Sequence, residues 1–190
     1  MFYWLIELSN TVPGFGAFRS ALNVFRYITF RTGGAMVTGA LFVFLFGPWI
    51  IDHLRLRQGK GQPIRADGPQ SHLISKKGTP TMGGLMILSG LVVSTLLWAN
   101  LQNRFVWFAL VVMLAFGAVG FADDYIKIKH KDPKGLPARK KYFWLSLVGF
   151  GVSLMIYLTA KTPVETALIV PVFKDVVIPL GAFFVLWSYL

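Results

Sequence analysis

The chain has 190 residues, of which 55% are hydrophobic and only 14% are charged, and its formal net charge is +11. Soluble domains carry about 25% charged residues, so the composition argues against an ordinary soluble nucleic-acid-binding domain. The high apolar content excludes a disordered chain. A membrane protein with basic loops accounts for both the low charged fraction and the positive excess. Cysteine is absent, which excludes disulfides, thiolate nucleophiles and thiolate metal sites.

Long uncharged runs mark the segments that can cross a membrane, because a spanning helix needs about 20 mostly apolar residues. Four runs are long enough, and a fifth is cut short where the sequence stops; the runs are 33–51, 78–103, 105–122, 142–160 and 176–190. Tryptophan or tyrosine lies near an end of each of the four complete runs, as is typical of membrane interfaces. We therefore expect an all-α polytopic membrane protein with four complete transmembrane helices and a truncated fifth.

The basic residues predict the orientation of these helices. Residues 52–77 contain six Lys and Arg and residues 123–141 contain seven, so 13 of the 19 basic residues lie in two loops on one side. The positive-inside rule makes that side cytoplasmic and leaves the N-terminus outside. We expect a single, incomplete transmembrane domain over 1–190, with 52–77 and 123–141 as its first and second cytoplasmic loops.

Asp123 and Asp124 form an adjacent carboxylate pair where the third span leaves the membrane. Adjacent helical side chains point about 100° apart, so both carboxylates can border one cavity. Because like charges repel, the pair needs a compensating partner, either the nearby basic residues or Mg²⁺. Lys127 shares their helical face at i+4 and i+3, and Lys141 ends the second loop. The alternative is that the pair only neutralises lysines at a membrane exit.

The end of the first basic loop is the other informative stretch, Lys76-Lys-Gly-Thr-Pro-Thr-Met-Gly-Gly84. Thr79 or Thr81 can cap the second span there. A helix start with free N–H groups, next to Lys76 and Lys77, is a favourable position for a phosphate. The alternative is a capped helix whose lysines only set the topology and whose glycines only serve helix packing.

Three motifs resemble the phospho-N-acetylmuramoyl-pentapeptide transferases of bacterial peptidoglycan synthesis, within the polyprenyl-phosphate sugar-1-phosphate transferases. They are Lys-Lys-Gly-Thr-Pro-Thr-Met-Gly-Gly-Leu (76–85), Gly-Phe-Ala-Asp-Asp-Tyr-Ile-Lys (120–127) and Lys-Gly-Leu-Pro-Ala-Arg-Lys-Lys-Tyr (134–142). The Pro-Thr-Met-Gly-Gly run is specific to this family, whereas the Asp-Asp pair is shared by the superfamily. The resemblance runs along essentially the whole chain.

The resemblance implies that undecaprenyl phosphate attacks the β-phosphate of UDP-N-acetylmuramoyl-pentapeptide, giving lipid I and UMP with Mg²⁺ as cofactor. It implies that Asp123 and Asp124 are catalytic residues and metal ligands, with a third aspartate expected beyond Leu190. Six other residues are implied in substrate binding: Lys76, Lys77, Thr79, Thr81, Lys127 and Lys141. A ten-helix family fold is also implied, of which this chain would be the N-terminal half and inactive alone.

The expected location is the bacterial cytoplasmic membrane, with the active face in the cytoplasm. The expected partners are the two substrates and membrane lipid, together with a second copy of the chain or other membrane or cell-wall proteins, and no nucleic acid. Two alternatives stay open. One is a related transferase that uses another UDP-N-acetylhexosamine, against which the Pro-Thr-Met-Gly-Gly run argues. The other is a non-catalytic membrane interaction module whose basic loops bind anionic lipid.

Overall fold

The computed structural model describes residues 2, 22–58, 82–131, 135–170 and 177–189, and these residues are mostly helical. The α-helices are α1 (Ile28–Gln58), α2 (Gly83–Trp98), α3 (Arg104–His130), α4 (Ala138–Thr159) and α5 (Phe183–Tyr189). Short 3₁₀ helices cover Asn23–Arg26 and Pro163–Thr166. Two strands, β1 (Ala167–Ile169) and β2 (Val177–Pro179), pair antiparallel with Leu168 opposite Ile178.

Three helices in the described part of the chain are long and apolar enough to cross a membrane. They are α1 over Ile28–Leu56, α3 and α4, and they coincide with three of the predicted spans. The predicted span 78–103 contains α2, which is apolar but has 16 residues. The prediction of a largely helical, multi-pass membrane protein is therefore confirmed, while the number of spans and the side of the N-terminus stay predictions.

Three helices extend beyond the apolar runs into the predicted loops. α1 continues to Gln58, inside the predicted loop 52–77. α3 continues to His130 and α4 begins at Ala138, so most of the predicted loop 123–141 is helical. Lys and Arg are good helix formers. The end of an apolar run therefore indicates where a chain leaves lipid, but it does not indicate where the helix ends.

The predicted fifth span, residues 176–190, differs from a continuous helix. Val177–Pro179 is a strand, and α5 begins only at Phe183. Gly181 adopts a φ of 52°, which is left-handed backbone that interrupts a helix. β-branched residues at 177 and 178 favour extended structure. The absence of charge identifies this run as apolar but does not distinguish a strand from a helix.

The helices pack as antiparallel neighbours along the chain. Near one end of the α1–α2 pair, Gly47 lies against Met86, and near the other the Trp98 Nε1 group donates to Thr38 Oγ1 at 2.9 Å. α3 packs on both α2 and α4, and α5 packs on α4. The C-terminal ends of α1 and α3 therefore lie at the same end of the bundle as the N-terminal ends of α2 and α4. This arrangement brings the described parts of both basic segments to one end.

Arg104 ties the start of α3 to the end of α4 and to the 3₁₀ helix that follows it, at the opposite end of the bundle. The Arg104 guanidinium donates both to the Thr159 carbonyl oxygen and to the Glu165 carboxylate. The Lys161 N–H also donates to Glu165, at 3.0 Å. The start of α3 is thus joined to the end of α4 and to the turn that leads into the β-hairpin.

Small residues allow α1 and α2 to approach closely. A Cβ atom at Gly34 would lie 2.4 Å from the Trp98 ring, and one at Gly90 would lie 3.4 Å from the Gly39 carbonyl oxygen. Lipid tails are as apolar as the helices, so helices associate in membranes largely through such close packing. The α1–α2 pair therefore depends on the absence of side chains at these positions.

We expect Gly34→Ala to lower the free energy of unfolding by about 1–3 kcal/mol, because the added methyl group displaces the Trp98 ring. Gly33→Ala is the matched control, since a Cβ atom at this adjacent position has no neighbour within 4 Å. The control should be at least as stable as the wild type, because alanine is the better helix former. Thermal unfolding in detergent, followed by tryptophan fluorescence, measures both. Equal midpoints would contradict the assigned packing.

Candidate functional site

The Asp123 carboxylate is a buried charge near the C-terminal end of α3, where the residue is only 8% exposed. Its Oδ2 atom accepts a hydrogen bond from Lys127 Nζ at 2.7 Å and lies 3.7 Å from Lys141 Nζ. Its Oδ1 atom accepts from the Leu136 N–H at 2.8 Å. A buried carboxylate is costly unless its oxygens are paired. Here α3, the loop before α4 and α4 itself each supply a donor or a cation.

Lys127 joins the two adjacent aspartates. Its Nζ atom lies 2.7 Å from Asp123 Oδ2 and 3.2 Å from Asp124 Oδ1. The shared helical face predicted from the i+4 and i+3 spacing is therefore confirmed. α3 continues to His130, so the pair does not lie in the last turn, and the last turn itself carries basic residues. Carboxylates are disfavoured in the last turn of a helix, where the helix dipole is negative. Because both aspartates lie before that turn, this repulsion is small for each of them.

Both carboxylates border one cavity of about 320 Å³, as the adjacent spacing predicts. The start of α2 lines one side, the C-terminal part of α3 lines another, and the lining also includes Lys141 from α4. Phe121 and Leu88 contribute apolar surface. The volume lies at the lower end of the range for ligand pockets, about 300–1,000 Å³. A site with clustered charges on one wall and apolar side chains on another suits a ligand with an ionic group and a lipid-like part.

The start of α2 has an unusual backbone. Met82 occupies the N-cap position with a φ of 71°, and its side chain makes no capping hydrogen bond. Thr79 and Thr81, the expected capping residues, lie outside the described residues, and the helix begins at Gly83, directly after Met82. A left-handed non-glycine residue costs of order 1 kcal/mol. Met82 also lines the cavity, so this strained residue lies beside the aspartate pair.

The structure brings together four of the predicted site residues, Asp123, Asp124, Lys127 and Lys141. The other four lie outside the described residues: Lys76, Lys77, Thr79 and Thr81. Two further contributors were missed, Gly135 and Leu136, which contact Asp123 from the loop before α4. Glycine followed by Leu-Pro ahead of a helix is the available signal, since glycine commonly takes the left-handed conformation in turns.

Both aspartates contact the Lys127 ammonium group, and Asp123 also lies near that of Lys141. Magnesium is bound in many proteins by one or two carboxylates together with substrate phosphates. The paired oxygens fit that chemistry, provided that a metal ion takes the position now held by Lys127. Among the residues that the structure describes, no group of three or more acidic, histidine or cysteine side chains could hold a metal ion. The pair is therefore suited to be part of a ligand set.

Comparison with known proteins identifies close relatives. A family model described as phospho-N-acetylmuramoyl-pentapeptide-transferase signature 1 matches residues 76–88. The phospho-N-acetylmuramoyl-pentapeptide-transferase of Rhodopseudomonas palustris strain BisA53 is 59% identical over 188 residues, which are 99% of this chain and 50% of the relative. That of strain BisB18 is 59% identical over 186 residues, which are 97% of this chain and 49% of the relative.

The signature begins at the end of the first basic loop, 52–77, and the aligned region covers nearly the whole chain, including both basic loops and all the described helices. The chain spans about half the length of the curated relatives it matches. Over that length, the chain is similar to the phospho-N-acetylmuramoyl-pentapeptide-transferases of both strains and carries the signature of that family.

Proposed function

We propose that the protein transfers phospho-N-acetylmuramoyl-pentapeptide from its UDP donor to undecaprenyl phosphate, forming lipid I and UMP in bacterial cell-wall synthesis. The observation that carries the proposal is the cluster of Asp123, Asp124, Lys127 and Lys141 beside a cavity. The cluster lies where α3 leaves its apolar run. A lipid acceptor arrives from the membrane and a nucleotide donor from water, so their reaction requires a site at this boundary.

The proposed reaction is a phosphoryl transfer with balanced bond changes. An oxygen of the lipid phosphate forms a bond to the β-phosphorus of the donor. The bond from that phosphorus to the oxygen bridging the α-phosphate breaks, and UMP leaves with the bridging oxygen. Such reactions depend mainly on positioning and charge stabilisation. The attacking phosphate is already ionised near neutral pH, so we propose that Asp123 orients the reacting groups rather than removing a proton.

The two lysines are the groups that we propose to meet the phosphates. Among the residues that the structure describes, the ammonium groups of Lys127 and Lys141 lie beside the Asp123 carboxylate, and Lys127 also contacts Asp124. A diphosphate that enters the cavity offers the lysines strong, charge-assisted hydrogen bonds. Lys127 and Lys141 therefore hold the donor and stabilise charge that develops on the leaving group, while the aspartates keep both ammonium groups beside the cavity in its absence.

Magnesium is the cofactor that we propose. Asp123 and Asp124 would hold it through oxygen atoms that now face Lys127, and a third aspartate, expected beyond Leu190, would complete the set. When bound, Mg²⁺ neutralises phosphate charge and fixes the orientation of the phosphates. Lys76, Lys77, Thr79 and Thr81 are proposed to contact the nucleotide, since free N–H groups at a helix start together with lysines favour phosphate.

We propose that the basic end of the bundle faces the cytoplasm of a bacterium and that the N-terminus lies outside. The support is that the described ends of both basic segments lie together, with the positive-inside rule giving the side. A second copy of the chain and other membrane or cell-wall proteins stay proposed partners. Ten spans and the inactivity of these 190 residues alone likewise stay predictions.

Asp123→Asn and Asp124→Asn should each lower the rate of UMP release by at least about 100-fold, because charge stabilisation and positioning are lost. Asp52→Asn is the matched control, since Asp52 is exposed on α1, and its rate should stay within about twofold of the wild type. The assay uses the natural full-length protein in detergent with both substrates. Unchanged UMP release in both site variants would remove the basis for the catalytic assignment.

Lys127→Gln should lower kcat/KM for the UDP donor by about 10–100-fold, the equivalent of a lost hydrogen bond to a charged group. Lys129→Gln removes the same charge from an exposed position two residues further along α3 and should have little effect. Steady-state kinetics at varied donor concentration separates binding from turnover. Equal losses in both variants would indicate a general effect of net charge rather than a role for Lys127.

Removal of Mg²⁺ by excess EDTA should abolish UMP release, and added Mg²⁺ should restore it, because the diphosphate charge is then neutralised again. The control is the same protein treated with EDTA already saturated with Mg²⁺. Full activity in excess metal-free EDTA would refute the proposed cofactor without affecting the proposed donor and acceptor.

A further inference from the structure

The loop before α4 reaches Asp123 with its backbone. The Leu136 N–H donates to Asp123 Oδ1 at 2.8 Å. The next residue, Pro137, is the N-cap of α4, the helix that carries Lys141. A hydrogen bond between residues 13 positions apart thus fixes the loop against α3, directly beside the carboxylate pair. The contact pairs one oxygen of the buried carboxylate, and it also ties that carboxylate to the backbone of a second element.

Gly135 is required at this contact for two separate reasons. Its φ is 63°, in the left-handed region that L-residues other than glycine rarely adopt. A Cβ atom at this position would also lie 2.6 Å from Asp123 Oδ1 and 2.7 Å from Lys127 Cε. Both distances are too short for any real side chain. The absence of a side chain therefore allows the backbone to lie directly on the Asp123–Lys127 ion pair.

The backbone hydrogen bond determines which carboxylate oxygen faces the lysines. Oδ1 is held by the Leu136 N–H, and Oδ2 faces Lys127 and Lys141. Rotation of an aspartate carboxylate about its terminal bond is soft, with broad and nearly equivalent minima. Without the Leu136 N–H, the carboxylate can rotate and carry both ammonium groups with it. Because the cavity is shared with Asp124 and Lys141, such a rotation changes the arrangement of charges inside it.

We propose that Gly135 and the Leu136 N–H are positioning residues of the transferase site. They fix the Asp123 carboxylate, and through it the ammonium groups of Lys127 and Lys141, in the orientation that the phosphates require. The inference rests on the proposed function of the site. A displacement of about 1 Å in a catalytic group can cost on the order of 100-fold in rate, so the contact should be visible in turnover.

The first test is Gly135→Ala in the natural full-length protein. We expect kcat for UMP release, measured on folded protein, to fall by about 10–100-fold. The unfolding midpoint in detergent should lie at or below that of Gly181→Ala, because the added Cβ atom also displaces the Asp123–Lys127 ion pair. Gly181→Ala is the matched control, because Gly181 has a φ of 52° but a Cβ atom there has no neighbour within 4 Å. The control imposes similar backbone strain away from the site, and its kcat should stay within about twofold of the wild type.

The second test removes only the hydrogen-bond donor, the Leu136 N–H. Incorporation of the α-hydroxy analogue of leucine at position 136 replaces the N–H with an ester oxygen and leaves the side chain unchanged. We expect kcat to fall by about 10-fold or more, since the Asp123 carboxylate loses the hydrogen bond that fixes its Oδ1 atom. This variant adds no atom near Gly135, so it stays informative even if Gly135→Ala does not fold.

The outcomes distinguish failure of the proposed function from failure of the positioning role. If the wild-type protein releases no UMP from the UDP donor with undecaprenyl phosphate and Mg²⁺, then the proposed function and the positioning role both fail. If the wild type is active and the ester variant keeps its full kcat, then the positioning role alone is overturned. Equal losses in Gly135→Ala and Gly181→Ala would also overturn it, because backbone strain would then explain the effect.

Discussion

The pairing of one buried carboxylate, that of Asp123, is the interaction on which the arrangement of the site depends. A charge at 8% exposure is stable only if its oxygens are matched by donors or cations. The partners come from three places, a side chain one turn further along α3, a backbone N–H in the loop before α4, and Lys141 on α4. The hydrogen bonds and charges that stabilise this carboxylate therefore hold both the α3–α4 loop and α4 against α3.

The bundle around this group is held at both ends. Far from the aspartates, Arg104 at the start of α3 donates to the Thr159 carbonyl oxygen at the end of α4, so the two helices are joined twice. Arg104 also pairs with Glu165 in the 3₁₀ helix that follows α4. α2 is held differently, through close contact with α1 at glycine positions and a hydrogen bond from Trp98. The cavity lies where these two units meet, between the start of α2 and the aspartates of α3. The helices that line the cavity are thus held in place by contacts outside it: α2 by α1, and α3 by α4.

Local periodicity predicts part of the site and leaves the rest open. The i+3 and i+4 spacing predicts that Lys127 meets both aspartates, because a helix brings residues one turn apart together wherever it lies. No comparable rule predicts the backbone contact at Leu136, or the left-handed conformation of Met82. Both depend on how the chain enters a helix, and entry angles are set by packing with other elements. Likewise, the uncharged run 176–190 predicts burial in an apolar phase but not its division into a strand and a short helix.

The sequence by itself determines the membrane class of the protein, its three long apolar helices, the clustering of Asp123, Asp124 and Lys127, and, through its motifs, the resemblance to one family. Each follows from composition, from a short period or from a contiguous run, all of which are local properties. Only the tertiary structure decides that Lys141 and the Leu136 N–H meet Asp123, that α2 closes one side of the cavity, and that Gly135 lies on the ion pair. These contacts join residues from different elements, and their formation depends on close packing and on the pairing of a buried charge, which no local pattern encodes.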